Sequence, residues 1–137
     1  GESCTGGMLG ARLTAIAGSS DVVQGGVIAY HNEVKERLLG VPHELLVAHG
    51  AVSEPVALAM AEGARRATGA GIGVGITGIA GPGGGTETKP VGTVWIAVDV
   101  EGRQRTLHSV FWGNRDEVRY RAAQGALDVI RRMLTAD

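Results

Sequence analysis

Three side chains near the start of the chain could carry out hydrolysis: Ser20 in "AGSSD", Tyr30 at the end of "GVIAY", and Lys35 five residues later. A serine hydroxyl becomes a nucleophile when a base takes its proton, and an uncharged lysine can be that base. The amine must first fall from ~10.4 to roughly 7–8, through burial or nearby positive charge. Arginine cannot do this, because a guanidinium stays protonated. The chain has 13 Lys+Arg, and the only lysines are Lys35 and Lys89. The residue type at position 35 therefore suits a base, and Tyr30 can relay a proton or hydrogen-bond the serine. The same residues also admit a plain reading. Ser20 then caps a turn, Tyr30 is half-buried, and Lys35 pairs with Glu33 or Glu36 on a solvated helix. Spacing alone does not separate the two.

Other motifs also carry two readings. In "ESCTGG" (2–7), hydroxyls at Ser3 and Thr5 precede Gly6 and Gly7 where a helix begins. Free N–H groups there can face an anion, or the hydroxyls can simply cap the helix. Cys4 is either a nucleophile with a lowered pKa or a plain buried thiol, and no histidine stands near it in sequence to act as base. Arg115 and Arg119, at i and i+4, share a helix face. They can clamp a phosphate, or lie in solvent beside Asp116 and Glu117.

Several classes are set aside. "GVGITG" (73–78) spells G-x-G-x-x-G, but its glycines lie inside an apparent strand and are followed by Pro82 and more glycine. A dinucleotide site needs them between strand and helix. Tyr-x-x-x-x-Lys is one residue longer than the short-chain dehydrogenase spacing. The four histidines lack metal-ligand spacing, so no metal and no cofactor are expected. A net charge of −1 gives no basic surface for nucleic acid. One cysteine excludes an intrachain disulfide and fits a reducing compartment, so a cytoplasmic location is expected. No apolar run approaches the ~20 residues of a membrane span.

The elements that must position these residues follow from periodicity. The 137 residues suit a single domain with one core. A helix is expected over 5–17, a buried strand over 26–31, a short helix capped by Asn32 and running through Leu39, and another after Pro42. A longer helix capped by Ser53 follows, with Val56, Met60 and Ala64 inward. The small residues of "GIGVGITG" read as a strand that another backbone or a ligand approaches closely. It dissolves into the glycine-rich loop "GPGGGTETKP", either a lid or a flexible connection, with Lys89 facing a phosphate or solvent. "VGTVWIAVDV" and "QRTLHSVFW", joined at Glu101-Gly102, form a hairpin. A helix over about 115–134 ends the chain. This is an α/β domain with a mixed sheet.

Taken together, "ESCTGG", "AGSS", "GGVIAYHNEVK", "HGAVSEPVA", "GITGIAGPGGG" and "KPVGTVWIAV" resemble the CinA carboxy-terminal domain family, in order and over essentially the whole chain. The resemblance implies a three-layer α/β/α fold with a roughly five-stranded mixed sheet, preceded in the family by a further helix and strand. Residues 1–137 would then be a single amidase-type domain lacking that start. It also implies hydrolysis of the carboxamide of nicotinamide mononucleotide to nicotinic acid mononucleotide and ammonia, a nucleotide ligand, and self-association. Carried over by position, it assigns Ser20, Tyr30 and Lys35 to catalysis. It places Ser3, Thr5, Gly6, Thr77, Gly78 and Arg115 near substrate. The alternative is a non-catalytic nucleotide-binding or assembly module of a CinA-type protein.

Overall fold

A computed structural model describes residues 1–135. Helix α1 (Met8–Thr14) is followed by a 3-10 turn (Ser19–Asp21), then α2 (Asn32–Leu39), α3 (His43–His49) and α4 (Glu54–Thr68). Strands β1 (Ile72–Gly78), β2 (Thr93–Val100) and β3 (Arg103–Val110) precede the last helix, α5 (Arg115–Thr135). The strands form an antiparallel sheet in the order β1-β2-β3. On its β1 edge, Glu2 makes parallel bridges to Ile76 and, on its other side, to Ile28. Those bridges give the sheet its mixed character and extend the order to five lines of backbone.

The two faces of the sheet are chemically different. Along β2, Val94, Ile96 and Val98 join Ile76 of β1 and Val118, Ala122, Ala126, Val129 and Met133 of α5 in one core cluster. On the opposite face Ala97 packs on Ala57 and Ala61 of α4. Side chains alternate along a strand, so the branched apolar residues face α5, while the glycines and Ala97, with Trp95 at their edge, face α4. The glycines of "GIGVG" belong to the small face. A Cβ on Gly73 or Gly75 would overlap the carbonyls of Ala61 and Ala57. The supposed dinucleotide fingerprint is thus a seat for α4. A third cluster, with Leu39, Val41, Val56 and Met60, packs α2 and α3 on the outer side of α4.

The hairpin forms in the expected register around Glu101 and Gly102, and Val56, Met60 and Ala64 are buried as the periodicity requires. Asp99 of β2, 2% exposed, accepts hydrogen bonds from Arg65 and from the Gly102 N–H, tying α4 to the hairpin turn. Three local expectations are corrected. The buried strand over 26–31 is a single bridge at Ile28, with Ile28 and Tyr30 exposed and only Ala29 fully buried. The residue that caps α2 is His31, whose Nδ1 accepts from the Glu33 N–H, and Asn32 is the first helical residue. Ser53 precedes α4 without a side-chain cap, because its hydroxyl donates to the Gly50 carbonyl.

If the small face is what lets α4 approach, a larger residue there forces the layers apart. Gly75→Val is expected to destabilise the domain by about 3 kcal/mol, the upper end of ordinary overpacking. Urea unfolding of the variant against the parent measures it.

Candidate active site

At the C-terminal end of β1 lies a cavity of about 210 Å³. Ser3, Tyr30, Lys35, Thr77, Gly78 and Arg115 line it, together with Cys4, Asn32, Ala51, Val52 and Ala80. No carboxylate is among them, and the Arg115 guanidinium is, so the cavity favours an anionic or electron-rich ligand.

Lys35 projects from the first turns of α2, the helix that packs on α4, and is 1% exposed. Its Nζ is hydrogen-bonded to Ser3 Oγ at 3.0 Å and donates to the Tyr30 carbonyl at 3.1 Å. Neither partner is charged. Burial therefore dominates and lowers the amine below its ordinary 10.5, opposed only by Cys4. A hydroxyl beside a buried amine of lowered pKa is the arrangement that a serine nucleophile with a lysine base requires.

Ser3 is held at the end of the backbone line inserted between Ile28 and β1. Its N–H donates to the Ile76 carbonyl, and its own carbonyl accepts from the Gly6 N–H as the chain turns into α1. The expected pairing of Ser20 with Lys35 is corrected. Ser20 stands exposed on the 3-10 turn after α1 and does not line the cavity. The hydroxyl that reaches Lys35 comes from a residue 32 positions away in sequence. No local spacing signals that contact.

Tyr30 is at the cavity, but in another capacity than proton relay to Ser20. Its carbonyl takes the Lys35 amine, while its phenol, on a side chain in a residue 60% exposed, accepts from Arg115 Nη2 at 3.0 Å. Arg115 Nη1 donates to the Gly81 carbonyl, so the start of the glycine-rich loop helps fix this guanidinium at the cavity mouth. Lys89, further along that loop, donates to the His49 carbonyl and does not line the cavity.

The "ESCTGG" turn does not hold a free anion site. Glu2, 8% exposed, places its own carboxylate there. One oxygen accepts from Thr5 Oγ1 and the Gly7 and Leu9 N–H groups, and the other from the Gly10 N–H. Thr5, fully buried, and Gly6 therefore lie outside the cavity, contrary to the expectation that they are near substrate. Thr77 does line it, but its hydroxyl donates to the Ala51 carbonyl at 2.9 Å and anchors the segment before α4. Cys4 is a buried thiol, which burial pushes up to about 11, so it is not the nucleophile at neutral pH. Among the described residues, no cluster of three or more His, Cys, Asp or Glu is placed to hold a metal ion.

Gly78 offers a backbone donor. The Ile79 N–H donates to Thr93 of β2, whereas the Ile76 N–H donates the other way, to the Gly1 carbonyl. Strand alternation turns the Gly78 N–H to the same side as that of Ile76, at the point where the chain has left the edge through the Ser3–Gly6 turn. No acceptor among the described residues takes it.

Residues 1–134 match the model of the CinA C-terminal domain. The chain belongs to that family. It is 72% identical over 131 residues to a CinA-like protein of Gemmatimonas aurantiaca, covering 96% of this chain and 31% of that protein. It is 51% identical over 135 residues to a putative competence-damage inducible protein of Moorella thermoacetica, covering 98% and 33%. The chain thus spans about a third of the length of these CinA-type relatives. Among solved structures, a competence/damage inducible protein from Agrobacterium tumefaciens superposes with a TM-score of 0.95 at 42% identity, covering 98% of this chain and 82% of that one. A CinA superfamily protein from Escherichia coli gives 0.92 at 35%, covering 96% and 77%. The α/β fold described above is the CinA fold. No described helix is long and apolar enough to cross a membrane.

The burial of Lys35 has a pH signature. An unfolded lysine binds its proton up to about 10.5, and the folded one releases it earlier. Between those two values the unfolded chain holds more protons, so folding stability rises with pH. Below the folded value both states are protonated and the burial penalty is complete. Lys35→Met lacks this group. The stability of the parent relative to Lys35→Met is expected to increase as pH climbs toward 10.5, read by urea unfolding at a series of pH values. A difference that does not change with pH would contradict the buried, depressed amine.

Proposed function

We propose that this domain is a metal-independent serine amidase that hydrolyses the carboxamide of nicotinamide mononucleotide to nicotinic acid mononucleotide and ammonia. The observation that carries the reading is the 3.0 Å contact between the buried Lys35 amine and the Ser3 hydroxyl. Ser3 takes the nucleophile's part that the resemblance assigned to Ser20, and Lys35 keeps the part of base.

The steps balance with these two residues and water. Ser3 Oγ attacks the carboxamide carbon while Lys35 Nζ accepts the hydroxyl proton. The negative charge that develops on the carbonyl oxygen is met by the Gly78 N–H, a donor already oriented by the sheet. The C–N bond breaks as the Lys35 ammonium returns its proton to the departing nitrogen, which leaves as ammonia. An ester on Ser3 remains. Water then attacks it, giving its proton to Lys35, and the Ser3–acyl bond breaks as Lys35 returns that proton to Ser3 Oγ, which releases the acid and restores both residues. Every proton transfer runs through one amine, which explains why that amine must be close to neutral.

The choice of substrate rests on charge and size. A cavity of about 210 Å³ suits a carboxamide-bearing ring, with the rest of a mononucleotide extending across the mouth. There Arg115 supplies the phosphate contact, steadied by Tyr30 and Gly81. The absence of any lining carboxylate favours a phosphorylated ligand over a neutral one.

The test is ammonia release from nicotinamide mononucleotide. Ser3→Ala and Lys35→Met are expected to lose at least about 10³-fold in turnover, as for other nucleophile and base removals, while Ser20→Ala retains parental turnover. In the parent, kcat/KM is expected to rise with pH through the depressed Lys35 value, because the base form is the active one. Binding of the nucleotide with no ammonia released would instead identify a binding module.

A further inference from the structure

We propose that Arg119 is a positioning residue for the nucleophile: its guanidinium clamps the turn that carries Ser3 and keeps the hydroxyl against Lys35. This rests on the Ser3–Lys35 reading above and extends it to a residue outside the cavity.

Arg119 lies one helical turn beyond Arg115 on α5, but the two side chains go to different places. Arg119 Nε donates to the Cys4 carbonyl at 3.1 Å and its Nη2 to the Thr5 carbonyl at 3.0 Å. The partners are more than a hundred residues away in sequence, and they are the two peptides immediately after Ser3. A surface ion pair does not account for the side chain. Its nearest carboxylate, Asp116, is at 4.0 Å and its residue stands almost wholly in solvent. The planar guanidinium reaches two successive carbonyls at once, which a lysine cannot do.

The turn is built to receive it. Gly6 has φ +59, and a Cβ there would stand 3.3 Å from Arg119 Nη2. A side chain at position 6 would be strained and would crowd the guanidinium, which gives this glycine a reason other than substrate approach. Glu2 grips the same turn from its other side through Thr5, Gly7, Leu9 and Gly10. Glu2 takes donors and Arg119 takes acceptors, so both halves of the turn's hydrogen-bonding capacity are filled. The Arg119 charge also acts on the residue beside Ser3, where it opposes the burial that raises the Cys4 thiol. The same field favours the negative charge that forms on a substrate one residue away.

Without the clamp, the Cys4 carbonyl loses its donor, the Thr5 carbonyl keeps only the Met8 N–H, and Ser3 Oγ is free to drift from Lys35. A displacement near 1 Å at a reacting atom costs about 10²-fold in rate. Arg119→Ala is therefore expected to lose about 10²-fold in kcat for ammonia release, with KM unchanged, since Arg119 does not touch the cavity. Added guanidinium chloride at non-denaturing concentration is expected to restore part of the lost kcat, where sodium chloride at the same ionic strength does not. Arg119→Lys keeps the charge and loses the fork. It is expected to fall between parent and Arg119→Ala, and it serves in place of Arg119→Ala should the latter fail to fold by circular dichroism.

Parental kcat in Arg119→Ala or in Arg119→Lys overturns the proposal. So does a loss accompanied by raised KM and no response to guanidinium, which marks general structural damage. The Ser3→Ala control separates this failure from failure of the site itself. Parental activity in Ser3→Ala sinks the nucleophile assignment and the clamp with it. An inactive Ser3→Ala beside a fully active Arg119→Ala sinks the clamp alone.

Discussion

A buried amine is tolerated when it is neutral or fully paired with negative charge. Lys35 is 1% exposed, and its partners are a hydroxyl and a carbonyl. That single constraint pushes the amine toward its base form, and the surrounding architecture serves to impose it. Helix α2 must lie against α4 for the side chain to be covered, and α4 must sit low enough on the sheet for α2 to reach the edge at Ser3. The glycines of β1 allow that depth, because a single Cβ at Gly73 or Gly75 would meet the α4 backbone. A run of small residues in a strand is thus linked, through two helix layers, to the protonation state of one lysine.

The Ser3 side of the contact is fixed by different means. Ser3 lies where a backbone line leaves the sheet, so its N–H is still tied to β1 while its carbonyl already belongs to a turn. Departure from the sheet leaves the Gly78 N–H without a ladder partner among the described residues, at a cavity that a hydroxyl and a buried amine also line. Strand termination and donor placement are one event here. The turn itself is charged at its core, with a carboxylate from Glu2 within it and a guanidinium from Arg119 against it. Charge-assisted hydrogen bonds of this kind are stronger than neutral ones and hold geometry more firmly.

Much of this was legible in the sequence. The hairpin at Glu101-Gly102, the inward face of α4 and the long α5 follow from turn chemistry and period. The glycine strand was correctly read as a place of close backbone approach, and Lys35, Tyr30, Ser3, Thr77, Gly78 and Arg115 do converge on one cavity. The Lys-for-Arg argument singled out a lysine that the fold buries beside a hydroxyl. What the sequence withheld were long-range pairings. Ser3 and Lys35 are 32 residues apart, and Arg119 and Cys4 are 115 apart. Ser20 stood nearer in sequence and carried the expected hydroxyl, but the chain places it on an exposed turn beyond α1. The segment 26–31 misled for a related reason. Its apolar residues suggest burial, but among the described residues Ile28 pairs on one side only, with Glu2, and its side chain stays exposed.

The claim on which all of this depends is that Ser3 is the activated hydroxyl and Lys35 activates it. Peptide mapping by mass spectrometry after brief exposure to a fluorophosphonate, which phosphonylates activated serines, tests it most directly. The account predicts an adduct on the peptide containing Ser3 in the parent, absent in Lys35→Met and undiminished in Ser20→Ala. An adduct on the peptide containing Ser20, or equal labelling of Ser3 in Lys35→Met, would contradict it.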